Sequence, residues 1–366
     1  MRSELRKYLS HLRLQTSNHL GYPYNLQPSF KALYPFLEHS INNLGDPFVQ
    51  SNYRISSRNY EKLVLDWFSD LWKFEKNNYW GYVTSCGTEG NLHSLYVARE
   101  NLGKNAVLIA SDQSHYSIFK AARMFCIPYR KIETFPNGEI NYHRFHDAVS
   151  TLAHKPLIVN VNLGSTVKGA VDNVKYIQAA LNEAKTESVY LHGDAALFGM
   201  TLPFLDKNCE IGKTFDAIAT SGHKFIGVPF PCGVLMMQKK WIGVLESNVE
   251  YLNSIDTTMM GSRNGHAPLF MWHRIQEHNL EGFRFDVLEC IHNAAYLCEA
   301  LREAGAAEAW RNDKSNIVYF TRPKSEEFIR KWQLACEGAI AHVVVMPNVN
   351  RGKIKEFVIE LKTYGL

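Results

Sequence analysis

The sequence predicts an α/β fold: a mostly parallel sheet with covering helices, followed by a smaller α+β C-terminal domain. Three observations carry this prediction. Between Trp80 and Met237, short apolar runs alternate with stretches of helical period, the pattern of strands joined by crossover helices. After Gly261-Ser262-Arg263-Asn264-Gly265 that alternation gives way to long helical runs. Five polar residues, Gly87 (through its backbone), His115, Thr166, Asp194 and Lys224, fall at or just beyond the ends of the apolar runs. Parallel sheets gather their ligands at that edge.

Taken in order, residues 1–45 begin with helical periodicity and then turn at Gly21-Tyr22-Pro23-Tyr24-Asn25. A second turn cluster follows at Asn42-Asn43-Leu44-Gly45-Asp46-Pro47. Such an irregular, aromatic arm must pack on its own subunit or on a neighbour. Residues 58–76 read as an amphipathic helix, with Leu63, Val64, Trp67, Phe68, Leu71 and Trp72 at helical spacing. Trp80 to Val83 reads as a strand, and a helix follows as far as Asn101. The turn between them, Thr84-Ser85-Cys86-Gly87-Thr88-Glu89-Gly90-Asn91, suits an anion through backbone N–H groups and the helix dipole. Plain N-capping explains such a turn equally well.

Strands are then expected at 106–110, 129–134, 156–161, 189–192, 215–220 and 234–237. Helices are expected at 114–124, 141–152 and 171–185. Beyond the Gly/Ser turn, 268–278 and 283–304 read as helices. Strands at 316–320 and 342–346 flank a helix at 326–336. The expected division is an arm of residues 1–45, a large domain of 46–268 and a small domain of 269–366.

Composition narrows the function classes. A chain of 366 residues, 46% hydrophobic and 21% charged, can bury a large core in about two domains. A net charge of +4 with both signs interspersed argues against nucleic acid or an anionic membrane as partner. No apolar run approaches a transmembrane length. The first twenty residues are basic, with Glu4 the one acid, and lack a secretory apolar core; a transit segment is the alternative reading. Seven cysteines, an odd number without Cys-x-x-Cys spacing, point to a reducing, cytoplasmic compartment and away from structural zinc. His273 and His278 around Glu277 do not have His-Glu-x-x-His spacing, so no metal is expected.

The organising stretch is Ala219-Thr220-Ser221-Gly222-His223-Lys224-Phe225-Ile226-Gly227-Val228-Pro229. It sets Lys224 in a turn between two apolar runs. A lysine held against apolar walls has a lowered pKa and can attack a carbonyl. On local sequence alone a solvated turn lysine is the alternative.

Together with Asp194, His115, Thr166 and the Gly87-Thr88 turn, this stretch resembles the fold-type-I pyridoxal-phosphate enzymes. It is most similar to the group II amino-acid decarboxylases, on the serine decarboxylase/histidine decarboxylase branch. Gly21-Tyr22-Pro23, Gly45-Asp46-Pro47-Phe48, Gly87-Thr88-Glu89-Gly90-Asn91, Ser221-Gly222-His223-Lys224, Pro231-Cys232-Gly233-Val234 and Gly261-Ser262-Arg263-Asn264-Gly265-His266 carry the resemblance across the chain.

The resemblance implies pyridoxal 5'-phosphate as cofactor, held covalently by Lys224. It implies that Asp194 pairs with the pyridinium nitrogen, with His192 beside that carboxylate. His115 would stack on the ring, and Thr166 would meet the ring hydroxyl. Gly87, Thr88, Ser221 and His223 would bind phosphate, with Ser262 arriving from the partner of a homodimer. Tyr251 is the implied proton donor, and Tyr24, Phe48 and His39 the implied substrate contacts. Structural alternatives stand beside these roles: an N-cap for Asp194 or Thr166, a buried structural histidine for His115, and packing for Tyr251, Tyr24 and Phe48. The implied reaction is decarboxylation of L-serine, with L-histidine as the alternative, Tyr24 and Phe48 being bulky enough to shrink a pocket. An aminotransferase would need a second-carboxylate clamp, which the sequence does not place. A desulfurase would need a loop cysteine, and Cys232 reads as a strand start. A non-catalytic homologue would have no need of Lys224, Asp194 and His115 together.

Overall fold

Strand and helix alternate in the computed structural model as the sequence predicts. It describes residues 3–306 and 308–364. The strands are β1 (Tyr79–Thr84), β2 (Val107–Ser111), β3 (Tyr129–Ile132), β4 (Leu157–Asn162), β5 (Val189–Asp194), β6 (Ala217–Ser221), β7 (Gly233–Gln238), β8 (Ser247–Val249), β9 (Ser254–Asp256), β10 (Ile317–Thr321), β11 (Ala335–Glu337) and β12 (Ile340–Val344). The α-helices are α1 (Ser3–Ser17), α2 (Arg58–Trp72), α3 (Gly87–Leu102), α4 (Tyr116–Met124), α5 (Tyr142–Leu152), α6 (Val174–Glu183), α7 (Leu202–Leu205), α8 (Ile211–Thr214), α9 (His266–Glu303), α10 (Glu326–Trp332) and α11 (Arg351–Tyr364).

The chain forms two units. One comprises residues 28–166 and 170–283; the other comprises 1–27, 167–169 and 284–366. The first holds a seven-stranded sheet in the order β1-β7-β6-β5-β4-β2-β3. Strands β6, β5, β4, β2 and β3 run parallel, while β7 is antiparallel to both of its neighbours. The sheet strands β2, β4 and β6 are buried along their whole length, which is why they read as largely apolar runs with their polar residues toward the carboxyl end. Helix α3 packs on this sheet through Leu95, Val97 and Ala98, joined in one core by Tyr82, Ala219 and Leu235. Helix α2 buries Val64, Leu65, Phe68 and Trp72, each worth about 1.5–3 kcal/mol on removal from water. It stops at Lys73, which adopts the left-handed conformation.

The second unit holds the antiparallel sheet β10-β12-β11 with α10 and α11, whose Phe328, Trp332 and Phe357 rings pack together. Leu20 joins it by backbone bonds to Trp332 and Val344.

Several boundaries differ from the sequence reading for identifiable reasons. Helix α6 starts at Val174 because Val171 pairs with Leu163 and Asn173 caps the helix, its Oδ1 accepting from Lys175 N–H. Helix α10 ends at Trp332 because Gln333 turns left-handed, leaving 335–337 to form β11. The long helix α9 is interrupted at Asn279 (φ 52°, ψ 178°), so it is two helical segments, close to the two expected. Asn279 Oδ1 accepts from Glu281 and Gly282 N–H and starts the second segment. Among the described residues, no helix is long and apolar enough to cross a membrane.

Candidate active site

The sheet register decides which side chains meet. Thr84 pairs with Gly233 and Gly233 with Ser221. Asn162 pairs with Asp194 and Asp194 with Ala219. The ends of β1, β4, β5 and β6 therefore form one edge. From that edge the chain leaves β1 into α3 at Gly87, leaves β5 at Asp194, and leaves β6 into the turn carrying His223 and Lys224.

Two glycines allow the close approach at this edge. A Cβ on Gly87 would lie 2.6 Å from Ser221 Oγ, and one on Gly90 would lie 2.9 Å from Ala219 Cβ. Gly90 lets α3 lie on β6, and Gly87 lets its first turn meet the Ser221 hydroxyl. Cys86, the N-cap, makes no side-chain cap bond, and the leading N–H groups of a helix have no partner within it. Thr88 is half-buried in that first turn.

Lys224, Asp194 and His115 share one electrostatic environment. Desolvation lowers the pKa of the Lys224 ammonium, opposed by the charge of Asp194. Burial also lowers His115, which Asp194 raises and Lys224 and Lys120 lower further. His115 caps α4, its Nδ1 accepting from Ser117 N–H at 3.3 Å. Burial lowers His223 as well, and its Nδ1 lies 2.9 Å from the Cys232 carbonyl. A partly open amine with a depressed pKa keeps a neutral fraction, the form that attacks a carbonyl.

Asp194 is buried, and its carboxylate is held from two sides. Ala196 N–H donates to Oδ1 at 3.3 Å, and Asn91 Nδ2 donates to Oδ2 at 2.9 Å. His192 does not hydrogen-bond this carboxylate. Its Nε2 meets Asn91 Oδ1 at 2.9 Å, and its Nδ1 meets Ser94 Oγ at 2.9 Å. The sequence reading did not find the roles of Asn91, Ser94 and Ser117. Asn91 and Ser94 stand three apart on α3 and so face the same way, against His192 and Asp194, two apart on one face of β5. That match of periods was the one available signal.

The remaining predicted residues lie differently. Thr166 is exposed in the loop after β4. Ser262 is exposed and accepts from Asn42 Nδ2 at 3.1 Å. Its neighbour Arg263 is buried in an ion pair with Glu61 and donates to Gly45 O at 3.0 Å. Tyr251 sits on a 3-10 turn between β8 and β9 with its side chain 81% exposed. His39 is exposed at the end of the 3-10 helix Lys31–Glu38. Phe48 is exposed and lies edge-on to Tyr79, at the amino end of β1. Tyr24 belongs to the other unit, where its ring lies 5.4 Å from that of His19. Within this single chain, Gly87, Ser221, His223, Lys224, Asp194 and His115 come together; Tyr251, Ser262, His39 and Phe48 stay at the surface.

The assembled groups are an amine of lowered pKa, a fixed carboxylate, a flat half-buried imidazole, and a helix start beside a hydroxyl. They suit a ligand bearing a carbonyl, a basic ring nitrogen and an anionic group. Pyridoxal 5'-phosphate is such a ligand, and the residues present fit it. Fold and site together fit an α/β enzyme that uses such a cofactor.

The chain belongs to the pyridoxal-dependent decarboxylase family, whose conserved domain it matches over residues 36–322. It is a carboxy-lyase with pyridoxal 5'-phosphate as cofactor. It is 49% identical over 364 residues to serine decarboxylase 1 of Oryza sativa subsp. japonica, covering 99% of this chain and 75% of that protein. It is 42% identical over 362 residues to histidine decarboxylase of Solanum lycopersicum, covering 98% and 87%. Among solved structures, a mutant of L-methionine decarboxylase from Streptomyces sp. 590 superposes with a TM-score of 0.90. Its identity is 25%, with coverage of 99% of this chain and 96% of that one.

Proposed function

We propose that this chain decarboxylates L-serine to ethanolamine and carbon dioxide, with L-histidine decarboxylation to histamine as the alternative reading. The reaction class rests on the decarboxylase domain match over residues 36–322, and the cofactor chemistry on Lys224, desolvated beside Asp194 at the carboxyl edge of the sheet. Support for serine comes from the relatives: serine decarboxylases 1, 2 and 3 of Oryza sativa match at 49%, 43% and 46% identity, against 42% for the tomato histidine decarboxylase.

When bound, pyridoxal 5'-phosphate supplies an electron sink for the pair left by the departing carboxylate. The chain's own residues do the rest. Lys224 would hold the cofactor through Nζ, its neutral amine being the form able to attack the carbonyl with loss of water. Asp194 sets a negative charge at the ring nitrogen and keeps a proton there. His115 covers one ring face and limits water. The first turn of α3 at Gly87 and Thr88, with Ser221 and His223, holds the phosphate, and Thr166 meets the ring hydroxyl. Tyr251 gives a proton to Cα. Substrate orientation, with the bond to the carboxylate set to break, is assigned to Tyr24, Phe48 and His39 of a neighbouring subunit, because in the single chain Phe48 lies at the amino end of β1, away from Gly87.

The working form is a cytoplasmic homodimer. Ser262 and Tyr251 are exposed in the single chain, and a neighbouring subunit gives both a use. The expected domains, 46–268 for the cofactor, 269–366 for the small domain and 1–45 for the arm, differ from the two compact units in that 28–45 and 269–283 group with the cofactor unit and 167–169 with the other. All seven strands of the main sheet fall within 79–238.

The test is a comparison of kcat/KM for L-serine and L-histidine on one preparation. Ethanolamine should form faster at equal substrate; histamine in excess would reject serine while leaving decarboxylation intact. For the shared site, Lys224→Ala and Ser262→Ala subunits are mixed. Recovered activity in hybrid dimers is expected, and hybrids without activity would place Ser262 outside the partner's site.

A further inference from the structure

Behind Asp194 lies a set of buried polar groups that the reaction as described does not use. Tyr190 OH lies 3.1 Å from Ser94 Oγ, and Ser94 Oγ lies 2.9 Å from His192 Nδ1. His192 Nε2 lies 2.9 Å from Asn91 Oδ1. Asn91 Nδ2 reaches Asp194 Oδ2 at 2.9 Å and Ser117 Oγ at 3.0 Å. Ser117 Oγ lies 2.7 Å from His115 Nδ1. Tyr190, Ser94, His192, Asn91, Ser117 and Asp194 are all buried.

The donor inventory gives this chain a direction. A carboxylate only accepts, so Asn91 must turn its NH2 toward Asp194 and its Oδ1 toward His192. His192 Nε2 then carries hydrogen, and its Nδ1 accepts from Ser94. The Ser94 oxygen in turn accepts from Tyr190. The second hydrogen of Asn91 Nδ2 goes to Ser117, whose hydroxyl donates to His115 Nδ1. Asn91 thus joins both branches to the carboxylate.

We propose that Asn91 is a positioning residue for the cofactor, fixing the Asp194 carboxylate and the His115 ring in one geometry, and that His192 acts on the site only through Asn91. Resting on the proposed roles of Asp194 and His115, the inference explains why a histidine is buried two residues from the carboxylate without bonding to it. It also gives Asn91 a role beyond packing. A group that merely fills space is replaceable by its isostere; a group that must donate to a carboxylate is not.

The test uses the holoenzyme. Asn91→Leu keeps about the size of asparagine but cannot donate, whereas an aspartate there would share a proton with Asp194 and could still donate. We expect Asn91→Leu to weaken cofactor binding and lower kcat by about tenfold or more, the effect of losing a hydrogen bond to a charged group. Asn91→Ala should behave alike. His192→Ala should lower cofactor affinity in the native background and add nothing in Asn91→Ala, since residues acting in series are not additive. Full additivity, or a near-normal Asn91→Leu, would overturn the proposal. Nitrogen-15 NMR of the unsubstituted holoenzyme covers the case of a variant that does not fold: His192 should carry hydrogen on Nε2 and none on Nδ1, and the opposite tautomer overturns the proposal. Asp194→Ala separates the two readings. If it abolishes turnover while Asn91 variants are normal, the positioning role alone fails; if Asp194→Ala is itself normal, the site reading fails.

Discussion

Gly87→Ala isolates the phosphate cradle from the fold. The added Cβ would lie 2.6 Å from Ser221 Oγ, closer than real Cβ atoms come, while its next neighbours, Ala196 Cβ and Ser221 Cβ, stand at 3.8 and 3.9 Å. One atom is therefore in the way, and it is the end of a side chain that can rotate. Turning the Ser221 hydroxyl aside costs little. Alanine also recovers up to about 0.5–1 kcal/mol over glycine in a helix, so stability should change by less than about 1 kcal/mol. Cofactor affinity should not be spared. Losing one hydrogen bond to a charged phosphate removes about 1.5–3 kcal/mol, which is about ten- to a hundredfold in Kd. Titration of the apoenzyme with pyridoxal 5'-phosphate, followed by absorbance, measures Kd; urea unfolding measures the fold. Ser221→Ala should weaken binding similarly, and the double variant should add little to either single change. An unchanged Kd in Gly87→Ala would refute the assignment of this turn to the phosphate.

Burial lowers His192 to a pKa of about 4 and His93 to about 3. Both lie below the ~6.5 of an unfolded chain, so under acid the unfolded state binds more protons and stability falls. The loss should begin as pH drops through about 6.5 and continue toward 4, at up to ~1.4 kcal/mol per pH unit for each histidine; His192→Gln should remove one proton from that slope in urea titrations, and an unchanged slope would contradict it. Arg263→Met should destabilise by about 3–5 kcal/mol in urea unfolding, because Glu61, fully buried, is left without its cation; a change under about 1 kcal/mol would show the pair to be inessential.

The fold was legible wherever burial imposes a period. Buried parallel strands such as β4 and β6 read as apolar runs because both faces are covered. The edge at which Gly87, Asp194 and Lys224 meet followed from strand ends alone. Elements of three residues, β8, β9 and β11, are too short for a period to show. Helix α11 is different: Ile354, Phe357, Val358 and Leu361 are buried and stand at helical spacing. That spacing marks a helix in the sequence itself. Asn91 lay in a stretch whose resemblance was visible, yet nothing local marks it. Its partners are 26, 101 and 103 residues away, and only the packing of α3 on β5 unites them. Tyr24 shows the limit of reading by size: a bulky ring is visible in sequence, but the surface it lines is set by tertiary packing.

The central claim is that Lys224 carries the cofactor, and chemical trapping tests it most directly. The holoenzyme is treated with borohydride, which makes the bond between cofactor and amine permanent, then digested and analysed by mass spectrometry. The added mass is expected on the peptide containing Ser221-Gly222-His223-Lys224, fragmenting at Lys224, with no stoichiometric label in Lys224→Ala. Stoichiometric labelling of a different lysine in the native protein, or undiminished labelling in Lys224→Ala, would contradict the account.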